Sequence, residues 1–270
     1  MASRIAEKEN PGHGLRLVAQ QKISRAITKI GSDTPLEEAF HEVRKRLKEL
    51  RAILRLAEMP CEIADKLSAI FREASRRTTQ VRDAQVQARV LQNLAEELRG
   101  TEGFELCEAE QKKLTGVAAH ASTPQLRYKI HTQLVKAARL LDQWPPENIK
   151  WADVWKAWKK GRKQSLKAMN RALAEPANEN LHKWRKRAKN WWYQTRLLEK
   201  RAPKKTAGLS SSLRVLTELI GDDHDLSLVE DDLAKSKAGG VASVRAVLKK
   251  RRATLQKEAA KRGRKIAEKF

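Results

Sequence analysis

Two sixteen-residue stretches of this chain are near-copies of one another. HEVRKRLKELRAILRL begins at His41 and HKWRKRAKNWWYQTRL begins at His182. Seven positions coincide: His41/His182, Arg44/Arg185, Lys45/Lys186, Arg46/Arg187, Lys48/Lys189, Arg55/Arg196 and Leu56/Leu197. A shorter echo follows each copy, VRDAQV (81–86) after the first and DHDLSL (223–228) after the second. Asp83 thus lies 42 residues beyond His41, and Asp225 lies 43 beyond His182. Matched segments at nearly constant separation mean that one supersecondary unit occurs twice, so the chain must build a duplicated architecture. The stretch Trp144-Pro145-Pro146-Glu147-Asn148 reads as the junction between the copies.

The repeated unit is helical. Apolar residues recur with a period near 3.6 over 13–31, 35–59, 61–78, 81–99, 105–121, 124–143, 151–174, 178–200, 206–221, 224–236 and 241–268. Pro60, Gly100, Gly103, Pro124, Pro145-Pro146, Pro176, Pro203, Gly221 and Gly239-Gly240 fall between these segments, where breakers belong. Asp33-Thr34-Pro35 predicts Thr34 as N-cap and Pro35 as first helical residue, with Glu37 closing a capping box. No segment alternates with period two for long enough to form a strand. The expectation is an all-α fold: a disordered tail over 1–12, one helical half over 13–144 and a second over 148–270.

Placed on a helix, the first copy separates cleanly into two faces. Val43, Leu47, Leu50 and Leu54 gather on one side. His41, Arg44, Lys45, Lys48, Arg51 and Arg55 spread over roughly 120° of the opposite side. The second copy sets His182, Arg185, Lys186, Lys189 and Arg196 against Trp184, Ala188, Trp191 and Leu198, while Arg46 and Arg187 fall outside the ladders. Like charges three or four residues apart each cost a helix about 0.2–0.5 kcal/mol. A face that served only solubility would interleave glutamates, yet Glu42 and Glu49 lie off the centre of the stripe. The ladder therefore suits a linear, multiply charged anion. Arg16, Lys22 and Arg25 on 13–31, and Lys163, Lys167 and Arg171 on 151–174, would add a second basic wall if those helices pack beside the ladders.

Charge agrees with this reading. The chain carries 57 Lys+Arg against 33 Asp+Glu, a formal net of +24. The excess sits mainly in residues 151–270, where 31 basic and 13 acidic side chains leave +18, against +6 in residues 1–150. Such asymmetry implies a polyanionic partner: nucleic acid, polyphosphate or anionic lipid. No run of 18 apolar residues occurs and the N-terminus has no apolar export segment, so a cytoplasmic location is expected. Cys61 and Cys107 form neither a metal spacing nor a disulfide framework, and read as buried thiols.

Catalytic alternatives are weaker. Glu38-x-x-His41 and Glu179-x-x-His182 reproduce the spacing of carboxylate-bridged di-iron bundles. Both glutamates, however, fall in a first helical turn, where a carboxylate meets free N–H groups, and both histidines point into a cationic stripe. His224-Asp225 alone does not make a phosphohydrolase site; Asp222, Asp223 and Asp225 read as a helix N-terminus. His13, His120 and His131 are scattered. Trp151, Trp155 and Trp158 follow helical spacing and read as core. No nucleophile constellation and no glycine-rich phosphate loop is present. The basic run RAVLKKRRATLQKEAAKRGRKIAEKF extends the cationic surface.

The paired histidine ladders, together with the later Arg82-Asp83 and His224-Asp225 pairs, resemble the CHAD family, the conserved histidine α-helical domain. The resemblance extends over roughly 13–265. It implies two helical bundles related by a pseudo-two-fold axis, with long amphipathic helices around a central basic groove that binds inorganic polyphosphate. It further implies a non-enzymatic module without cofactor, associated with polyphosphate granules. The triphosphatase domain often fused to such modules has no room here, which implies a stand-alone form. The second ladder departs from the family pattern at Trp191 and Trp192, the latter aligning with Arg51. Nucleic acid is the competing polyanion. Histidine protonation should tighten anion binding as pH falls through about 6.5.

Overall fold

The computed structural model describes Ile5 and residues 9–58 and 62–270; Pro60 and Cys61, with their expected roles as breaker and buried thiol, lie outside the described residues. Within these residues the chain forms α1 (Pro11–Gly31), α2 (Leu36–Ala57), α3 (Glu62–Arg77), α4 (Thr79–Ala95), α5 (Glu102–Ala121), α6 (Pro124–Asp142), α7 (Trp151–Ala174), α8 (Asn178–Leu198), α9 (Pro203–Leu233) and α10 (Val241–Lys269), with a 3₁₀ turn at Glu96–Leu98 after α4. No strand occurs among the described residues, and none of the helices is long and apolar enough to cross a membrane.

The helix ends show what local chemistry does. Asn10 caps α1 by accepting from the N–H groups of Gly12 and His13, so the helix begins at Pro11, inside the stretch expected to be a tail. Ile5 is fully buried and its N–H donates to Leu197 O at 3.2 Å. The capping box expected at Thr34 is not formed. Pro35 is the N-cap of α2 and no side chain caps it, because the Thr34 hydroxyl is engaged with Ser32 Oγ at 2.7 Å. Gly240, at φ +77°, starts α10 in the left-handed region, where a Cβ would stand 2.4 Å from Glu102 O; only glycine fits there.

One expected break is absent. The expected segments 206–221 and 224–236 are joined in the single helix α9, which runs unbroken through Gly221 and ends at Leu233. A glycine inside a helix costs only about 1 kcal/mol, and burial outweighs that here. Ile220, Leu226, Val229 and Leu233 are all buried. Asp222, Asp223 and Asp225 therefore sit in a helix interior and not at an N-terminus.

Three apolar clusters hold the helices together. The first joins α1, α2, α3 and α6 and reaches the start of α7 and the end of α8. The third joins α7 and α8 to the first part of α9 and the end of α10. A second cluster crosses between the two halves of the sequence: Val90, Leu91, Leu94, Leu106 and Cys107 pack with Leu226, Val229, Leu233, Val244 and Leu248. The expected apolar faces of the repeat point into these clusters. Val43, Leu47, Leu50 and Leu54 are buried, as are Trp184, Ala188, Trp191 and Leu198. Helix α2 lies against its repeat partner α8, and α4 lies against α9. Those two contacts decide where the basic faces meet.

Candidate functional site

Because α2 and α8 pack on one another with their apolar faces turned into separate clusters, part of each ladder faces a shared groove. Its volume is about 720 Å³. Arg44, Lys48, Arg51 and Arg55 line it from α2, and His182, Lys183, Arg185, Lys186, Arg187 and Lys189 line it from α8. The opposite wall is Ser75, Thr79, Arg82 and Asp83 from α3 and α4, with His224 and Leu228 from α9.

Several of these cations are positioned by neutral oxygens. Arg44 donates to Ser75 O at 2.7 Å and to Thr78 Oγ1 at 3.0 Å. Arg55 donates to Asn190 Oδ1 at 2.9 Å. These bonds hold a guanidinium in place without cancelling its charge. Arg44 Nε, Arg185 Nε and His182 Nδ1 are buried with no hydrogen-bond partner among the described residues. Unpaired buried donors are costly and uncommon, and ask for an acceptor.

The concentrated charge shows in the ionisation of the groove. Burial, then Arg185, Lys189, Arg44 and Arg82, bring the Lys48 ammonium down to about 7. Burial and Arg185 bring Lys189 down to about 8, with Asp225 and Glu218 pulling the other way. Arg44 is lowered to about 10, first by burial and then by Arg82, against which Asp83 acts. Arg185 is also lowered, by burial first. Burial is the largest cause in each case, and the neighbouring cations add to it.

Among the described residues, Arg82 is the groove cation that two carboxylates hold directly, while Lys183 at the groove's edge pairs with Glu179. Arg82 donates to Asp83 Oδ1 at 2.8 Å and to Asp225 Oδ1 at 2.7 Å. The second echo of the repeat therefore brings α4 and α9 together through a single guanidinium, rather than serving each half separately.

Other expected site residues stand outside the groove lining. Helices α1 and α7 do not supply the second wall. Lys22 is buried against Glu49 at 2.9 Å, in a pair that Arg46 joins at 3.0 Å. Arg16 donates to Trp144 O at 3.1 Å, and Arg25 is exposed outside the groove lining. Lys163, Lys167 and Arg171 are exposed and also outside the lining. His41 and Lys45 lie on the outer edge of the α2 ladder, with Lys45 bonded to Glu42 at 3.1 Å. Arg196 lies outside too, over the Trp192 ring at 5.1 Å and 3.9 Å from Glu49. Conversely, Arg187, placed outside the ladder by its helical angle, lines the groove, as do Lys183 and His224. Trp192, which aligns with Arg51, is outside the lining, and Lys189 Nζ lies 5.7 Å from its ring centre.

The histidines also differ from expectation. The His182 and His224 rings are 4.4 Å apart. Burial and the surrounding Lys186, Arg185 and Arg82 push His182 down to about 4. Burial, Arg185 and His182 push His224 to about 3. His41 is lowered as well, by burial first. Held neutral, the His182 and His224 rings offer one donor and one acceptor each and no charge, so these two do not supply the tightening expected below pH 6.5. The E-x-x-H glutamates are engaged by lysines: Glu38 by Lys29 at 2.7 Å and Glu179 by Lys183 at 2.6 Å. No group of three His, Cys, Asp or Glu able to hold a metal occurs among the described residues. Cys107 is buried, and burial raises its thiol to about 11.

A family model described as the CHAD domain matches residues 21–234. The chain belongs to the CHAD domain family. Among solved structures, the crystal structure of the CHAD domain from the plant Ricinus communis superposes with a TM-score of 0.56. That comparison spans 97% of this chain and 89% of the plant domain at 19% sequence identity, a likeness of fold. No curated protein matches the chain. The CHAD match contains both ladders and the Arg82-Asp83 and His224-Asp225 pairs, so every residue lining the groove belongs to the matched region.

Proposed function

We propose that this CHAD domain binds linear inorganic polyphosphate in the groove between α2, α4, α8 and α9, as a binding module and not as an enzyme, with its two halves related by a pseudo-two-fold axis. The observation that carries the reading is the convergence of cations from α2 and α8 on one groove, where Arg44, Lys48, Arg185 and Lys189 have no direct ion pair with a carboxylate among the described residues. A protein holds like charges together against repulsion only where a ligand relieves it, because stability at such a site is given up for function. Arginines would grip phosphate oxygens bidentately and lysines would act as point charges.

Nucleic acid is the second reading, and the groove favours it less. Sequence-tolerant single-strand binding relies on aromatic platforms for the bases. Among the described residues, Tyr193 is the one Phe, Tyr or Trp side chain in the lining, and it is buried. Targeting to polyphosphate granules would follow from the same affinity. Competition tests the choice. Polyphosphate should displace single-stranded RNA at a far lower phosphate concentration than RNA needs to displace polyphosphate; the reverse order overturns the reading.

A further inference from the structure

We propose that Arg252 of α10 is a positioning residue for the groove: acting from behind, it sets the rotation of α9 and its spacing from α8, and so holds His224 against His182 and Asp225 against Arg82. The inference rests on the reading of the groove as an anion site.

Arg252 is outside the groove lining. Its side chain is 11% exposed and its guanidinium reaches three partners. Nε donates to Asp223 Oδ1 at 3.1 Å, Nη1 to Glu230, and Nη2 to Asn178 Oδ1 at 2.6 Å. Gln256, one turn further along α10, donates to the same Asp223 oxygen at 2.9 Å. Asn178 in turn donates to Asp231 Oδ1 at 3.2 Å. One guanidinium thus ties α10 to α9 and to the first residue of α8.

The placement of these partners turns the tie into an orientation. Asp223 and Glu230 share one face of α9, and His224, Leu228 and Asp225 lie about 100–200° round from Asp223. His224 and Leu228 line the groove, and Asp225 holds Arg82. Asn178 precedes His182 by one turn, on nearly the same face of α8. Fixing Asp223 and Asn178 from α10 therefore fixes how the His224 ring meets the His182 ring, 4.4 Å away. Packing alone does not set that angle. Leu226, Val229 and Leu233 meet Val244 and Leu248 in an apolar cluster, and apolar contact is non-directional. The repeat shows that the fold does not require a charge at this place. Asp223 is 2% exposed, while the matching position of the first copy is Val81, 1% exposed in an apolar cluster. A buried ion pair is often no more stabilising than such packing, and its best-attested use is to select one register.

The test uses the full chain with two substitutions that leave the net charge at +24: Arg252→Lys, and the pair Asp223→Val with Arg252→Met. Lysine keeps the charge and loses the fork. The pair adopts the apolar solution of the first copy. Each protein is titrated with tripolyphosphate over a range of salt, melted by circular dichroism, and followed by NMR at the His182 and His224 rings. Both variants should stay helical and melt cooperatively, yet bind tripolyphosphate about tenfold more weakly, with both ring resonances moved from their wild-type positions. The slope of log K against log salt should stay within about 0.7 of wild type, the share of one phosphate contact, because Arg252 does not touch the anion. Affinity within twofold of wild type in the folded pair variant overturns the inference, and so does a loss of affinity with both ring resonances unmoved. Wild-type behaviour of Arg252→Lys overturns it by showing that charge without the fork suffices. A pair variant that does not fold overturns it too, by making the ion pair a support of the whole domain. Wild-type protein that binds no tripolyphosphate overturns the groove reading instead, and moved ring resonances in the variants would still uphold the positioning of His224.

Discussion

Replacing Lys48 by methionine should stabilise the unliganded protein at pH 6 and weaken its hold on anions. The side chain lies in the groove lining, where burial, Arg185, Lys189, Arg44 and Arg82 bring its ammonium down to about 7. In an unfolded chain a lysine titrates near 10.4. The folded state thus disfavours the charged form. The penalty is fully present below pH 7, shrinks as pH rises from 7 towards 10.4, and vanishes above that. At about 1.36 kcal/mol per pH unit the full penalty has an upper limit of about 4–5 kcal/mol. Water in an open groove screens part of it, leaving about 1–3 kcal/mol. Methionine keeps the aliphatic stem and removes the charge, so the variant should gain that amount at pH 6, or about 2–4 °C in Tm per kcal/mol. Calorimetric melting of both proteins at pH 6 and pH 10 measures the difference. A gain at pH 6 that disappears at pH 10 supports the account; a variant that melts lower at pH 6, or gains equally at both pH values, refutes it.

Three further outcomes follow from the same geometry. With Lys48 at about 7 and Lys189 at about 8, polyphosphate affinity should fall as pH rises from 6.5 to 9, by an amount approaching about 1,000-fold if both must be protonated; titration calorimetry across that range should also show net proton uptake, and flat affinity would contradict it. With His182 at about 4 and His224 at about 3, their ring resonances in NMR should show no titration between pH 5.5 and 7.5, whereas a midpoint near 6.5 would restore the histidines as charged contacts. Glu49→Leu should cost about 3–5 kcal/mol by stranding buried Lys22, and Lys22→Met in the same chain should recover most of that loss in urea unfolding.

The all-α class and the two faces of each ladder helix were readable because a 3.6-residue period fixes faces within a helix. Val43, Leu47, Leu50 and Trp184 pointed inward as their spacing demanded. Which faces of neighbouring helices meet is a different question, and chain order does not answer it. Helices α1 and α7 precede α2 and α8 and do pack beside them, yet they meet their apolar sides, so Lys22 became an internal ion pair and Lys163 stayed outside the groove. The missing wall was announced by the second echo, Arg82-Asp83 and His224-Asp225. Nothing in one-dimensional spacing says that Arg82 reaches across 143 residues to Asp225. The continuity of α9 was hidden for a related reason, because Gly221 looks like a stop until the burial of residues on both sides of it is known. Ionisation was the least legible property: a histidine in a basic helix looks like a charge reserve, and only burial beside Arg185 reveals a neutral ring.

The most direct measurement is a titration of wild-type protein and an Arg44→Ala, Lys48→Ala, Arg185→Ala, Lys189→Ala variant with tripolyphosphate at two salt concentrations, after circular dichroism has shown both to be helical. Wild type should bind with affinity that falls steeply with salt, and the variant, stripped of the four central cations, should lose at least about 100-fold at the lower salt. Equal affinity in the two proteins would place the anion somewhere other than this groove.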